Sequence, residues 1–258
     1  MKAYLLIALV LLAGCASSPR IDTSHPSIGH DSRAQFIVVH YTSTDLQRSL
    51  KILTGDGVSS HYLIGDSPAT IYQLVDENRR AWHAGESEWK GRTWLNSSSI
   101  GIELVNGGYT ESTDGRRLWY PYSDKQIDAL IVLLKDIMQR HGLKPGAIIG
   151  HSDIAPQRKV DPGPLFPWKR LADAGLVPWP DAQAVAHQRS LFATALPDVA
   201  WFQAQLAKQG YKVPLHGHLD LETRNVIAAF QMKYRPGRFD GEPDAETAAM
   251  LAVLGAAG

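Results

Sequence analysis

The chain has 258 residues, 44% hydrophobic and 20% charged, which describes one or two globular domains and excludes a disordered polypeptide. Its 26 basic and 26 acidic residues cancel, so no charge excess points to nucleic acid as a partner. A single cysteine excludes a disulfide-stapled scaffold.

In chain order, Lys2 precedes an apolar run over residues 3–13, too short to span a bilayer and of the size of a secretory signal core. The run ends in Leu12-Ala13-Gly14-Cys15, and a small-residue site closing on cysteine resembles the bacterial lipoprotein signal. Residues 1–15 are therefore expected to be a signal that leaves Cys15 as a lipidated N-terminus; an ordinary signal peptide with an incidental cysteine is the plainer alternative. Several acyl chains give a stable anchor. Ala16 and Ser17 lack the aspartate that marks inner-membrane retention in enterobacterial lipoproteins. That predicts the periplasmic face of the outer membrane. Residues 16–33 are polar, contain Pro19 and Pro26, and read as a tether.

Residues 36–41 form an apolar, β-branched run and are expected to be a buried strand. A short helix over 45–53 follows from Leu46, Leu50 and Leu53 at helical spacing. Residues 59–64 and 70–75 read as paired strands, and 99–105 as a further strand with one carboxylate, Glu103, in an apolar run. The stretch 106–122, rich in glycine, charge and aromatics, is expected to be a long surface loop. Ser123 and Gln126 have capping-box spacing before a helix that buries Ile127, Leu130, Ile131, Leu134, Ile137 and Met138, and stops at His141-Gly142. Ile148 and Ile149 then lead into His151 and a loop with three prolines. Strands interleaved with helices predict an α/β fold, a central mixed sheet flanked by helices.

Two of these strands end in histidine. His40 closes the first, His151 closes the last, and Asp161 sits on the proline-rich loop beyond His151 with Lys159 two residues earlier. Nitrogen and oxygen donors of this kind suit zinc, and three protein ligands leave the fourth position open, as catalytic sites do. The residues equally admit two unrelated strand-end histidines. Glu103 either faces solvent from an edge strand or serves the chemistry, because an unpaired carboxylate in a buried strand is costly. A zinc hydrolase uses such a group to take a proton from attacking water and deliver it to the leaving nitrogen.

Five segments together resemble the zinc-dependent N-acetylmuramoyl-L-alanine amidases of the Amidase_2 family, which includes phage T7 lysozyme and the peptidoglycan-recognition proteins. They are FIVVHYT at 36–42, SSHYLI at 59–64, AWHAG at 81–85, SIGIE at 99–103 and HSDIAPQRKVDPGP at 151–164. The resemblance implies one catalytic zinc held by His40, His151 and Asp161, with Glu103 as general base and acid and Lys159 stabilising the oxyanion. Trp82 and His83 are expected to line the substrate groove. His61 is expected to be a hydrogen-bonded core histidine, and His141 a helix-end cation favoured by the dipole.

The catalytic domain is placed at 34–178 and a connector at 179–197, with residues 182–195 able to form a helix. Residues 198–258 are expected to be a small three-helix domain. Two segments within it, at 217–223 and 241–247, share the pattern G-x-x-D-x-E-T, with Asp220 and Asp244 as helix N-caps. This part resembles the type 1 peptidoglycan-binding domain, and is expected to dock on the wall and leave the chemistry to the first domain. The whole is read as a monomeric enzyme that cuts the amide between N-acetylmuramoyl (1,6-anhydro ends included) and L-alanine of the stem peptide. Peptidoglycan and muropeptides are its partners. A recognition protein that binds muropeptide without cutting it, and a zinc D,D- or L,D-peptidase, are the competing readings.

Overall fold

The computed structural model describes residues 18–256. The chain divides into two compact units, residues 1–31 and 32–258. In the first, residues 18–31 carry neither helix nor strand and are exposed, with local turns such as Ser24 N–H to Asp22 Oδ1 at 2.9 Å. Cys15 and the apolar run before it lie outside the described residues. Among the described residues, no helix is long and apolar enough to cross a membrane.

The second unit opens with β1 (Phe36–Tyr41), whose apolar and β-branched residues are buried through His40. Helix α1 (Leu46–Leu53) follows, with Asp45 as its N-cap. β2 (Tyr62–Ile64) and β3 (Ile71–Gln73) pair antiparallel, and a small hairpin, β4 (Glu88–Trp89) with β5 (Arg92–Thr93), leads into β6 (Ser99–Leu104). The stretch 106–122 is not a plain loop. It holds a second hairpin, β7 (Tyr109–Glu111) and β8 (Arg117–Trp119), in which Tyr109 and Trp119 face each other with ring centroids 4.9 Å apart. Cross-strand aromatic pairs of this kind stabilise a ribbon whose glycine and charge hide any alternating pattern.

Helix α2 (Asp124–His141) starts at Ser123, whose hydroxyl accepts from Gln126 N–H at 3.2 Å, and ends at Gly142 with φ +65°. Gln126 does not complete the expected capping box. Its buried amide instead donates to the carbonyls of Ile64 and Val105, at 3.1 and 2.9 Å, bridging the ends of two strands. The helix buries Leu133 with its expected face, while Ile131 is only partly covered. β9 (Ile148–Gly150) completes a sheet of order β3-β2-β6-β1-β9, parallel except for β3.

Alternation along β1 divides the core. Ile37 and Val39 face α2 and pack with Ile100, Ile102, Leu130 and Leu134. Val38 and Ile149 face the opposite side, where their cluster continues without a break into Phe202, Phe230 and Leu251 of the C-terminal module. After the helical turn α3 (His151–Ile154) and α4 (Trp168–Asp173), that module comprises α5 (Ala182–Thr194), α6 (Val199–Gln209), α7 (Leu221–Tyr234) and α8 (Ala245–Ala256). The connector of the sequence reading is therefore largely helix α5, which lies along α8 and adds a fourth helix to the expected three.

The repeated G-x-x-D-x-E-T segments have one physical basis. Asp220 and Asp244 accept from the N–H of Thr223 and Thr247 at 2.8 Å each. In each copy a buried glutamine from the preceding helix clasps the turn. Gln203 accepts from Gly217 N–H and donates to the Thr223 hydroxyl, and Gln231 does the same for Gly241 and Thr247.

Candidate active site

The functional side chains gather at the carboxyl ends of β1, β6 and β9, the usual place for a ligand on a parallel sheet. Register explains the gathering. His40 is paired with Glu103 across β1 and β6, so both side chains leave the same face. Val39 is paired with Gly150, which brings His151 level with His40. His151 does not leave the strand as a loop residue; it begins the α3 turn. Asp161 returns to this point because its carbonyl accepts from Ser152 N–H at 2.8 Å. Gly150 is required there, since a Cβ would come within 2.8 Å of the Pro162 ring.

His40, His151 and Asp161 are buried, and one ligand atom of each lies within 4.8 Å of the others. The Nδ1 atoms of His40 and His151 are 2.9 Å apart, and Asp161 Oδ2 is 3.2 and 3.0 Å from them. Tetrahedral zinc with bonds near 2.0–2.2 Å separates its ligands by about 3.3 Å. The triangle has that scale.

The protons of both rings are fixed from behind. The Leu95 carbonyl can only accept, so the Ser99 hydroxyl donates to it at 2.6 Å and accepts from His83 Nε2 at 3.2 Å. His83 Nδ1 is then the acceptor for His40 Nε2 at 3.0 Å, which leaves a lone pair on His40 Nδ1. His151 Nε2 faces the Ala84 carbonyl at 3.2 Å, with the same consequence for its Nδ1. Burial, then the neighbouring His151, lowers the His40 imidazole to about 4, and burial with the nearby His40 holds His83 well below its ordinary value. Neutral rings with lone pairs turned toward one carboxylate are a metal-binding donor set.

Glu103 stands beside this triangle. Burial, followed by the Asp161 carboxylate, raises it to about 8, with Lys159 acting in the opposite sense. Its Oε2 is buried and has no hydrogen-bond partner among the described residues. Glu103 and Lys159 line one cleft of about 360 Å³ with the three clustered residues. Trp82 is 49% exposed at this cleft, with the Arg80 guanidinium over its ring at 4.2 Å. Tyr109 of the β7–β8 hairpin supplies another part of the wall.

His83 also borders the cleft, but it is buried, and both ring nitrogens are engaged by His40 and Ser99. Its ring lies flat against Gly101, where a Cβ would approach it to 2.4 Å. His61 is a core residue, accepting from Gly101 N–H at 2.9 Å and donating to the Arg79 carbonyl at 3.1 Å. His141 meets the buried Glu77 carboxylate at 2.8 Å.

Sequence reasoning missed the residues behind the site. Asn96 accepts from His83 N–H and Ala84 N–H, at 3.0 and 2.7 Å, and holds that segment under the cluster. Arg158 donates to the carbonyls of Ala84 and Glu86. Only the glycine of SIGIE, where a strand residue meets a ring, carried a readable signal for this layer.

The N-acetylmuramoyl-L-alanine amidase family model matches residues 30–164, which contain every residue of the cluster. The chain belongs to this family. A putative peptidoglycan-binding domain matches residues 196–251, the helical module. The amidase is 44% identical to N-acetylmuramoyl-L-alanine amidase AmiD of Escherichia coli, over 97% of this chain and 96% of that one. Its fold is similar to that of AmiD from E. coli in complex with anhydro-N-acetylmuramic acid-L-Ala-D-gamma-Glu-L-Lys, with a TM-score of 0.82 and 45% identity over 91% and 93% of the two chains. It is also similar to AmpDh3 from Pseudomonas aeruginosa in complex with anhydromuramic pentapeptide, with a TM-score of 0.83 and 38% identity over 92% and 96%.

Proposed function

We propose that this amidase hydrolyses the amide between the lactyl carbonyl of N-acetylmuramic acid, 1,6-anhydro ends included, and L-alanine of the stem peptide. The observation that carries the reading is the triangle of buried donors, His40, His151 and Asp161, with Glu103 in register beside it at one cleft. These three residues would hold one zinc ion, which when bound supplies a Lewis acid that activates water and polarises the carbonyl.

The other groups divide the remaining work. Glu103 has a free buried oxygen and a raised proton affinity, so it takes a proton from the attacking water and passes it to the departing alanine nitrogen. The Lys159 ammonium stabilises the negative charge that grows on the lactyl oxygen. Trp82 offers an apolar face to the sugar or peptide at the cleft, and His83 keeps the His40 ring in its ligand tautomer.

Digestion of purified sacculi and of a soluble anhydromuropeptide tests the function. New α-amino groups on L-alanine, matched by free lactyl carboxyls, are the expected products. Cleavage between two amino acids would make it a peptidase, and binding without new chain ends would make it a recognition protein. Elemental analysis of the purified protein should give one zinc per chain.

The leader supports a further reading, that Cys15 is acylated and holds a monomeric enzyme on the periplasmic face of the outer membrane. Cys15→Ser should abolish incorporation of labelled fatty acid in a bacterial host. A wild-type protein that fractionates as soluble periplasmic material would remove the anchor.

A further inference from the structure

The turn that carries His151 is gripped by the C-terminal module through a buried charge. Asp153, two residues beyond His151, is 1% exposed. Its Oδ2 accepts from Gly150 N–H at 2.8 Å, which fixes the backbone immediately before His151. The other bonds to this carboxylate come from the module. Tyr211, just after α6, donates to Oδ1 at 2.7 Å, and Lys233 of α7 donates to Oδ2 at 2.7 Å. The Lys233 ammonium also lies 4.3 Å over the ring of Trp168, and that ring packs against Gly150 closely enough for a Cβ there to meet it at 3.3 Å. Four residues further along the segment, Gln157 donates to the Glu222 carbonyl at 3.0 Å and accepts from Asn225 at 2.9 Å.

We propose that Lys233 and Tyr211 are positioning residues for the zinc site, acting through Asp153 on the Gly150–His151 backbone. The module thereby takes part in assembling the site as well as carrying the wall-binding family's fold. This rests on the zinc reading above. A carboxylate buried among three donors is held in place, and it holds the amide that orients His151. With Lys233 removed, the carboxylate is left buried without its cation, and moving the turn away from β1 toward water relieves that cost.

The test is zinc affinity of the full chain, measured on the metal-free protein by competition with a chromogenic chelator. Lys233→Met should weaken binding by about 10–100-fold, the range for outer-shell partners of a metal site, and Tyr211→Phe by less. Asp153→Asn keeps an oxygen for Gly150 N–H but no charge, so Lys233→Met added to it should weaken zinc no further than Asp153→Asn alone. Leu254→Ala loosens the module core on α8, which packs on α5 and α6, and should leave zinc affinity unchanged. Wild-type affinity in Lys233→Met overturns the proposal, as does a loss in Leu254→Ala equal to that in Lys233→Met. If Lys233→Met does not fold, a double variant that folds but binds zinc more weakly than Asp153→Asn overturns it. A wild-type chain that binds no zinc refutes the metal reading itself and this inference with it.

Discussion

Two buried aspartates lie eight positions apart on one segment, and their surroundings are opposite. Asp153 receives a backbone N–H, a phenol and an ammonium, so its demand for donors is met. Asp161 faces the Nδ1 atoms of two histidines whose other nitrogens are committed to His83 and the Ala84 carbonyl. Burial of a carboxylate does not by itself mark a site. A satisfied one is structural, whereas one turned toward other lone pairs needs a cation.

The largest effect should come from breaking the second aspartate. Asp161→Ala, or His151→Ala, is expected to lose at least ~10²-fold in zinc affinity and with it the amidase activity, the metal-free protein remaining folded. Zinc content after dialysis and circular dichroism check this, and full metal occupancy in either variant would dismiss the ligand set. Asp153→Ala should act first on stability, with a smaller loss of zinc affinity passed on through the Gly150–His151 backbone. Stranding Lys233 beside an apolar turn should cost about 3–5 kcal/mol of stability, read from urea denaturation of the metal-free chain. Equal stability losses in the two alanine variants would erase the distinction between the aspartates.

Glu103 sharpens the contrast, being a half-buried acid with one buried oxygen left unpaired for use. Glu103→Gln should keep zinc and fold while turnover drops by ~10²–10⁴-fold. Near-normal turnover would pass the proton transfer to another group.

The smallest effect is on pH. In the metal-free protein Glu103 is raised from 4.5 to about 8, so the folded state holds its proton more tightly than the unfolded state. Stability from this group is thus full below pH 4.5 and falls as pH rises toward about 8. Metal-free Glu103→Gln should lack that decline, so the melting temperature of the variant minus that of wild type should increase across this window. A constant difference would show that Glu103 titrates normally. Zinc should flatten the contrast, because a nearby cation favours the carboxylate.

Much of the fold was legible. The apolar runs at 36–41 and 99–105, the amphipathic period of α2, the Gly142 stop and the Asp220 and Asp244 caps are local signals, and each stands where its spacing placed it. The hairpin at 109–119 was not, because its stability comes from Tyr109 meeting Trp119 across the ribbon rather than from any alternation along it. Gln126 likewise left its local capping partner for two strand-end carbonyls that exist only once the sheet has formed.

The catalytic residue types and the family they resemble could be named from the sequence alone, because motif and spacing are local properties of the chain. Their common location was decided by strand register, which sets His40 beside Glu103 and His151 level with both. The direction of the lone pairs was decided further back, by a chain of hydrogen bonds ending on the Leu95 carbonyl. The grip of Tyr211 and Lys233 on Asp153 joins residues 58 and 80 positions apart. No pattern along the sequence encodes such a pairing. It exists because one face of the sheet and the helical module share a single apolar core, which brings the donors to a carboxylate that water cannot reach.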